Sequence, residues 1–310
     1  MQRRTFLAAS ASLASAVAQT PIPVIDTHIH LFDPTRKQGV PWPPKDAIFY
    51  KPTYPKQLRE VSKGLNVVGA IEVECSPWFD DNQWVLDVCE KDTIMVGYIG
   101  DLEPLKPEFR SHLDRFTKNK LFRGIRYAYL WGRDFRADMA KPEFIAGMKD
   151  FAARGLTLDT ANPSVKMLED VQRITDRIPE LKVVIDHLPK VEVPANRSGY
   201  VSAIRDLAKR PKVWVKVSAV LAKDGTGKLR YDLPYYKAKL DEIYDTFGQD
   251  KLLFGSDWPN SEPTGNYSQV LGIVREYFSG KGRAVAEKYF WKNSVAAYRW
   301  IKRDGAQPSA

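Results

Sequence analysis

VIDTHIH, residues 24–30, opens on apolar residues and closes on two histidines spaced one residue apart. In an extended strand alternate side chains share a face, so His28 and His30 point the same way, with Asp26 in phase before them. Seven further short apolar runs follow: VVGAIEVE (67–74), IMVGYIGDL (94–102), FRGIRYAY (122–129), LTLDTAN (156–162), KVVIDHL (182–188), VWVKVSAV (213–220) and LLFGSDWP (252–259). They are rich in β-branched residues and lack steady polar alternation, as parallel strands covered on both faces should be. Between them lie helical patterns over 81–91, 142–154, 163–178, 196–209 and 234–247. Pro163 and Pro234 suit first helical positions.

Eight strand–helix units in one chain predict a closed parallel (β/α)8 TIM barrel, class α/β. The competing open doubly wound sheet lacks its phosphate-binding glycine fingerprint. No linker marks a second domain, so residues 19–310 are expected to form one barrel. The stretch 31–54, with five prolines and several aromatics, is too long for an idle connection and is expected to shape the mouth. A last helical stretch, 283–302, should close the bottom or side.

Function is read from the polar residues that interrupt the apolar runs. In a barrel the C-terminal strand ends face a common mouth. Those ends carry His28 and His30, Glu74, Arg126, Asp159 and Asn162, His187, Lys216 and Ser218, and Asp257. Three of the four histidines fall there, and only His112 falls in a helical pattern. A carboxylate and three imidazoles around one mouth supply a base for water and donors for an oxyanion, which is what ester or lactone hydrolysis needs.

HIHLFDP (28–34), GIRY (124–127), IDHLPK (185–190), LLFGSDWP (252–259) and FWKNSVAAYRW (290–300) together resemble the amidohydrolase-related family of the amidohydrolase superfamily. The resemblance spans essentially the whole mature chain and leans to the lactonase-like group, which includes 2-pyrone-4,6-dicarboxylate and sugar lactonases. It implies an amidohydrolase-type barrel with Asp257 as general base. It also implies that His28, His30 and His187 polarise the substrate carbonyl, directly or around a metal, and that Arg126 grips a substrate carboxylate or hydroxyl. Lys216 and Trp258 are further substrate-binding candidates, and Trp42, Tyr50 and Trp78 are loop aromatics placed to stack on a ring. The expected activity is opening of a sugar lactone or a carboxylated ring lactone. The alternatives are a zinc-dependent hydrolase or decarboxylase of the same fold, and a non-catalytic binding barrel.

Metal-bound members of the superfamily usually add a strand-five histidine to this set. Here strand five reads LTLDTAN, and strand four offers no lysine for a carbamate bridge. No obligatory cofactor is therefore expected. If a divalent metal such as zinc binds, His28, His30 and Asp257 are the expected ligands, with Glu74 as a possible fourth oxygen.

Arg3-Arg4, Phe6, Leu7, a small apolar run and Ala16-Val17-Ala18 read as a twin-arginine export signal over 1–18, which predicts a periplasmic protein. Beyond it no run of ~18 apolar residues predicts a spanning helix. Of 47 basic and 38 acidic residues only Arg3 and Arg4 precede Gln19, so the mature chain keeps a net charge of +7. That charge is dispersed, without a basic run or a nucleic-acid motif, and excludes nucleic acid as the expected partner. A small molecule is the expected partner. Cys75 and Cys89 read either as two buried thiols or as a disulfide permitted by export.

Overall fold

The structure, a computed structural model, describes residues 20–194 and 197–309, so the expected export signal lies outside the described residues. Eight strands, β1 Val24–Ile29, β2 Val67–Val73, β3 Met95–Gly100, β4 Phe122–Arg126, β5 Thr157–Asp159, β6 Lys182–Ile185, β7 Val213–Lys216 and β8 Leu252–Leu253, form one parallel sheet in chain order. The sheet's twist brings its two edges together. Closure is made by main chain: Ile29 bridges Trp258 in parallel, the His30 N–H donates to the Trp258 carbonyl at 2.9 Å, and the Asp257 N–H donates to the His28 carbonyl at 2.9 Å. Thr27 adds both its N–H (3.0 Å) and its hydroxyl (2.6 Å) to the Phe254 carbonyl. The fold is the expected (β/α)8 barrel.

The helices are α1 Pro55–Val61, α2 Phe79–Glu90, α3 Phe109–Phe116, α4 Phe135–Met139, α5 Pro142–Ala153, α6 Val165–Arg177, α7 Ser198–Lys209, α8 Leu233–Phe247, α9 Tyr267–Gly280, α10 Arg283–Glu287 and α11 Asn293–Tyr298. In α6 the residues Met167, Leu168, Val171 and Ile174 recur at helical spacing and are fully buried. Each contributes ~1.5–3 kcal/mol relative to exposure. The Ser164 hydroxyl accepts from the Met167 N–H at 3.1 Å and caps the helix. Pro163 therefore stands before the cap and not at the first helical position.

Two further boundaries differ from expectation. The final helix ends at Tyr298, because Lys288–Lys292 forms a π turn and Arg299 turns left-handed at a φ of 50°. Beyond it the chain crosses the N-terminal strand ends: the Ile301 N–H donates to the Val96 carbonyl, and Arg303 donates to the carbonyls of Cys89, Asp92 and Met95. Tyr298 and Trp300 pack with Ile25, Ile71, Val96 and Leu253 and floor the barrel. The sixth, seventh and eighth strand runs also stop early, at Ile185, Lys216 and Leu253. Past those points His187, Ala219 and Asp257 take left-handed φ values of 52°, 51° and 61°. Non-glycine residues held there are strained, and the strain re-aims side chains that a regular strand would send elsewhere.

Cys75 and Cys89 are both free and buried. Among the described residues no helix is long and apolar enough to cross a membrane.

Candidate active site

At the C-terminal strand ends lies a cavity of about 190 Å³, whose walls include His30, Trp42, Arg126, Trp131, His187 and Asp257. The Asp257 carboxylate is at its centre. Its Oδ1 is surrounded by three imidazole Nε2 atoms, those of His30 at 3.4 Å, His187 at 3.7 Å and His28 at 3.8 Å. None of these is a well-formed hydrogen bond, and Asp257 Oδ1 and His28 Nε2 are buried without hydrogen-bond partners. Oδ2 accepts from Asn260 Nδ2 at 2.9 Å and lies 3.3 Å from the Lys190 ammonium. Burial alone would raise the Asp257 carboxyl, yet His187, His30, Lys190 and His28 together hold it well below its usual range. The group is thus an ionised acceptor across neutral pH.

Each histidine is oriented by its other nitrogen. His30 Nδ1 faces the Val73 carbonyl at 2.7 Å, and a carbonyl only accepts, so that nitrogen carries a proton. His187 Nδ1 pairs with the Ser218 hydroxyl at 2.8 Å. Burial lowers His187 to about 4 against the opposing pull of Asp257, so the ring is neutral at pH 7. His28 stands behind the other two, fully buried, and burial followed by the Lys216 charge lowers it well below its ordinary value.

Arg126 reaches the cavity from the end of β4. Its Nε donates to the Thr160 carbonyl at 3.1 Å and lies 3.4 Å from Asp186 Oδ2, while Nη1 is 3.5 Å from the Glu74 carbonyl. Among the described residues Nη2 has no protein partner. Two other expected substrate contacts do not line the cavity. Lys216 is fully buried beneath His28, paired to Asp159 at 2.6 Å and Asp186 at 3.0 Å. Trp258 is 2 % exposed and packs in the main core, because its own carbonyl is engaged in the β1–β8 seam. Of the loop aromatics, Trp42 lies edge-on to His30 with ring centres 5.2 Å apart, whereas Tyr50 and Trp78 are not among the lining residues.

Sequence reasoning passed over Trp131, Lys190 and Asn260. Lys190 closes the IDHLPK motif and Asn260 follows GSDWP directly, so a search of the residues just past each strand end would have found both. Trp131 lies in the loop after β4, left-handed at a φ of 58°, and donates its indole N–H to Glu74 Oε2 at 3.1 Å.

Burial, aided by the Asp101 charge and resisted by Arg126, pushes the Glu74 carboxyl up to about 8. An acid with a raised folded pKa stabilises the fold fully below its unfolded value, near 4.5, and that stability is lost as pH rises through 8. Glu74→Gln is therefore expected to flatten the fall in unfolding free energy between pH 5 and pH 8, measured by urea titration. An equally steep fall in both proteins would remove Glu74 as its source.

His28, His187 and Asp257 offer ligand atoms within 4.8 Å of one another, and all three residues are buried. Two imidazoles and a carboxylate, with two orphaned polar atoms among them, fit a divalent cation such as zinc in donor type. His187 belongs to this group, which sequence reasoning had drawn from His28, His30 and Asp257. Glu74 is engaged instead by Trp131 and the Ser76 N–H.

A barrel with this constellation at its mouth is an amidohydrolase-type architecture. Residues 25–300 match the amidohydrolase family, and the chain belongs to it. It is 27% identical over 254 residues to L-fucono-1,5-lactonase of Burkholderia ambifaria, covering 78% of this chain and 82% of that one. It is 25% identical over 244 residues to 4-sulfomuconolactone hydrolase of Rhizobium radiobacter, covering 76% and 75%. Among solved structures, an amidohydrolase from Burkholderia multivorans with bound zinc aligns at a TM-score of 0.78 and 20% identity, over 90% of this chain and 100% of that one.

Proposed function

We propose that this protein opens a lactone ring by hydrolysis, with Asp257 as the base that deprotonates water. The observation that carries the reading is the ionised, buried Asp257 carboxylate, whose Oδ1 has imidazole nitrogens around it and no hydrogen bond of its own. A water seated there gives one hydrogen to Oδ1. With Nδ1 protonated, His30 Nε2 holds the second in the neutral ring, and an oxygen lone pair is left aimed into the cavity. His187, when Ser218 donates to its Nδ1, presents an Nε2–H to the lactone carbonyl oxygen and stabilises the charge that develops on it. The proton taken by Asp257 then passes to the leaving ring oxygen, which balances the reaction. A divalent cation held by His28, His187 and Asp257 would act as a Lewis acid toward the same carbonyl.

The two lactone-acting relatives support the substrate class, and one of them acts, by its name, on a sulfonated lactone. Arg126 supplies the matching group here, since its free Nη2 faces the cavity and a guanidinium pairs well with an anion. Arg126→Met is expected to raise KM about tenfold or more for a carboxylated or sulfonated lactone, in line with the ~1.5–3 kcal/mol of a charge-assisted hydrogen bond. The rise should be smaller for neutral L-fucono-1,5-lactone, and kcat should change little. Initial rates on both substrates provide the check. An equal loss on both would show that Arg126 holds the fold of the site and not the anion. Hydrolysis of neither substrate by the unmodified protein, with or without added zinc, would overturn the function itself.

A further inference from the structure

Lys216 is the most deeply buried cation of the chain's polar interior, and the proposed reaction leaves it without a task. Its ammonium sits at the end of β7, fully enclosed, 2.6 Å from Asp159 Oδ2, 3.0 Å from Asp186 Oδ1 and 3.1 Å from His28 Nδ1. Asp159 is itself held by the Tyr298 hydroxyl at 3.0 and 2.9 Å, and the Tyr298 ring lies under the ammonium at 5.4 Å. An ammonium has three hydrogens and no lone pair. Asp159 accepts one of those hydrogens, Asp186 is held as an ion pair without a hydrogen bond, and the imidazole nitrogen facing the ammonium must be an acceptor.

We infer that Lys216 is a positioning residue that fixes His28 in its Nε2–H tautomer in the metal-free protein, turning that proton toward Asp257 and making Nε2 a weaker metal ligand. The inference rests on the lactonase reading only for its functional meaning, because the tautomer follows from the contacts. A neutral imidazole carries one proton. With Nδ1 accepting from Lys216 the proton is on Nε2, the atom 3.8 Å from Asp257 Oδ1. The competing partner for Nδ1 is Asp186 Oδ2 at 3.5 Å, which would favour the opposite tautomer. That oxygen is farther than Lys216 and makes no hydrogen bond, pairing only by charge with Arg126 Nε at 3.4 Å, and an Nδ1–H would collide with the ammonium hydrogens. His30 shows the reverse arrangement: Val73 takes its Nδ1–H, leaving Nε2 as the free lone pair. The two histidines of the His-x-His pair thus use Nδ1 in opposite ways, one as an acceptor and the other as a donor. Metal ligation through His28 Nε2 needs the opposite tautomer, so a cation bound there must displace the Nε2 proton against the pull of Lys216.

The test is ¹⁵N NMR of the metal-free protein labelled at histidine, readable because the chain has only four histidines. The His28 signals are identified by their loss in His28→Asn. In the unmodified protein His28 is expected to show an unprotonated, imine-type Nδ1 and a protonated Nε2. In Lys216→Met the only remaining Nδ1 partner is Asp186, so the proton should move to Nδ1 and zinc affinity by calorimetry should rise about tenfold or more. Lys216→Met strands two buried carboxylates, so Lys216→Met/Asp159→Asn, which removes one of those charges, serves if the single variant does not fold. An Nδ1–H signal for His28 in the unmodified protein would overturn the assignment without any variant. Unchanged His28 shifts or unchanged zinc affinity on loss of Lys216 would also overturn it. No substrate enters these measurements, so a protein that hydrolyses no lactone would defeat the proposed reaction and leave the tautomer assignment standing.

Discussion

Replacing Asp257 with asparagine is expected to lower kcat by about 10²-fold or more while KM changes little, the signature of a group whose work is done in the transition state. Asparagine keeps the size of the side chain and removes its proton acceptor. It also suits the backbone, because Asp257 is left-handed at a φ of 61° and asparagine is among the few side chains that adopt that region readily. Alanine there would confound lost chemistry with added strain. The lost contacts are modest, one hydrogen bond from Asn260 and one ion pair to Lys190, so the variant should fold. The measurement is initial-rate kinetics on L-fucono-1,5-lactone beside the thermal unfolding of each protein. A well-folded variant that still hydrolyses at the unmodified rate would show that another group activates water.

Gly124→Ala should produce the largest loss of stability of any single methyl addition considered. Gly124 pairs with Thr157 across β4 and β5, and a Cβ at residue 124 would lie 1.8 Å from the Thr157 carbonyl oxygen and 2.8 Å from its carbon. The obstacle is backbone inside a parallel ladder, so no side chain can swing aside. Either the β4–β5 pairing opens or both strands shift, and Arg126, two residues on, moves with them. The expected cost is ~4 kcal/mol or more, the range reserved for a forced rearrangement of the core. That lowers Tm by roughly 10 °C or abolishes a cooperative transition. Gly199→Ala is the matched control: in α7 the nearest atom to an added Cβ is 3.9 Å away, and helical alanine should be neutral or better. A Gly124→Ala protein within 1 kcal/mol of the unmodified chain would refute this account.

The strands were legible because each is an apolar run, a property of barrel strands buried on both faces that neighbouring context does not alter. His28, His30, His187 and Asp257 were legible as one site for a similar reason: topology alone sends every C-terminal strand end to one mouth. Depth was not legible. His28 and His30 are indistinguishable by spacing, yet His28 is enclosed among Lys216, Asp186 and His187 while His30 lines the cavity. Lys216 shows the same limit. A lysine at a strand end reads as a substrate contact, and only the arrival of Asp159, Asp186 and Tyr298 from three distant segments makes it a buried counter-charge. Trp258 lies in the core and off the cavity wall, a placement its position beside Asp257 in the sequence does not reveal. Left-handed turns at Trp131, His187 and Ala219 fall on residue types that give no sign of them, so Trp131 and the true strand ends were equally hidden.

The seam between β8 and β1 joins residues at opposite ends of the chain: Thr27 bonds to Phe254 across 227 positions. The same seam carries the His28–Asp257 and His30–Trp258 main-chain bonds. A chain emerging from the ribosome therefore displays His28 and His30 long before Asp257. Half-made molecules hold His28 and His30 without Asp257. The same hydrogen bonds that join the two ends of the chain set Asp257 beside the imidazoles, so closing the barrel and assembling the site are one event.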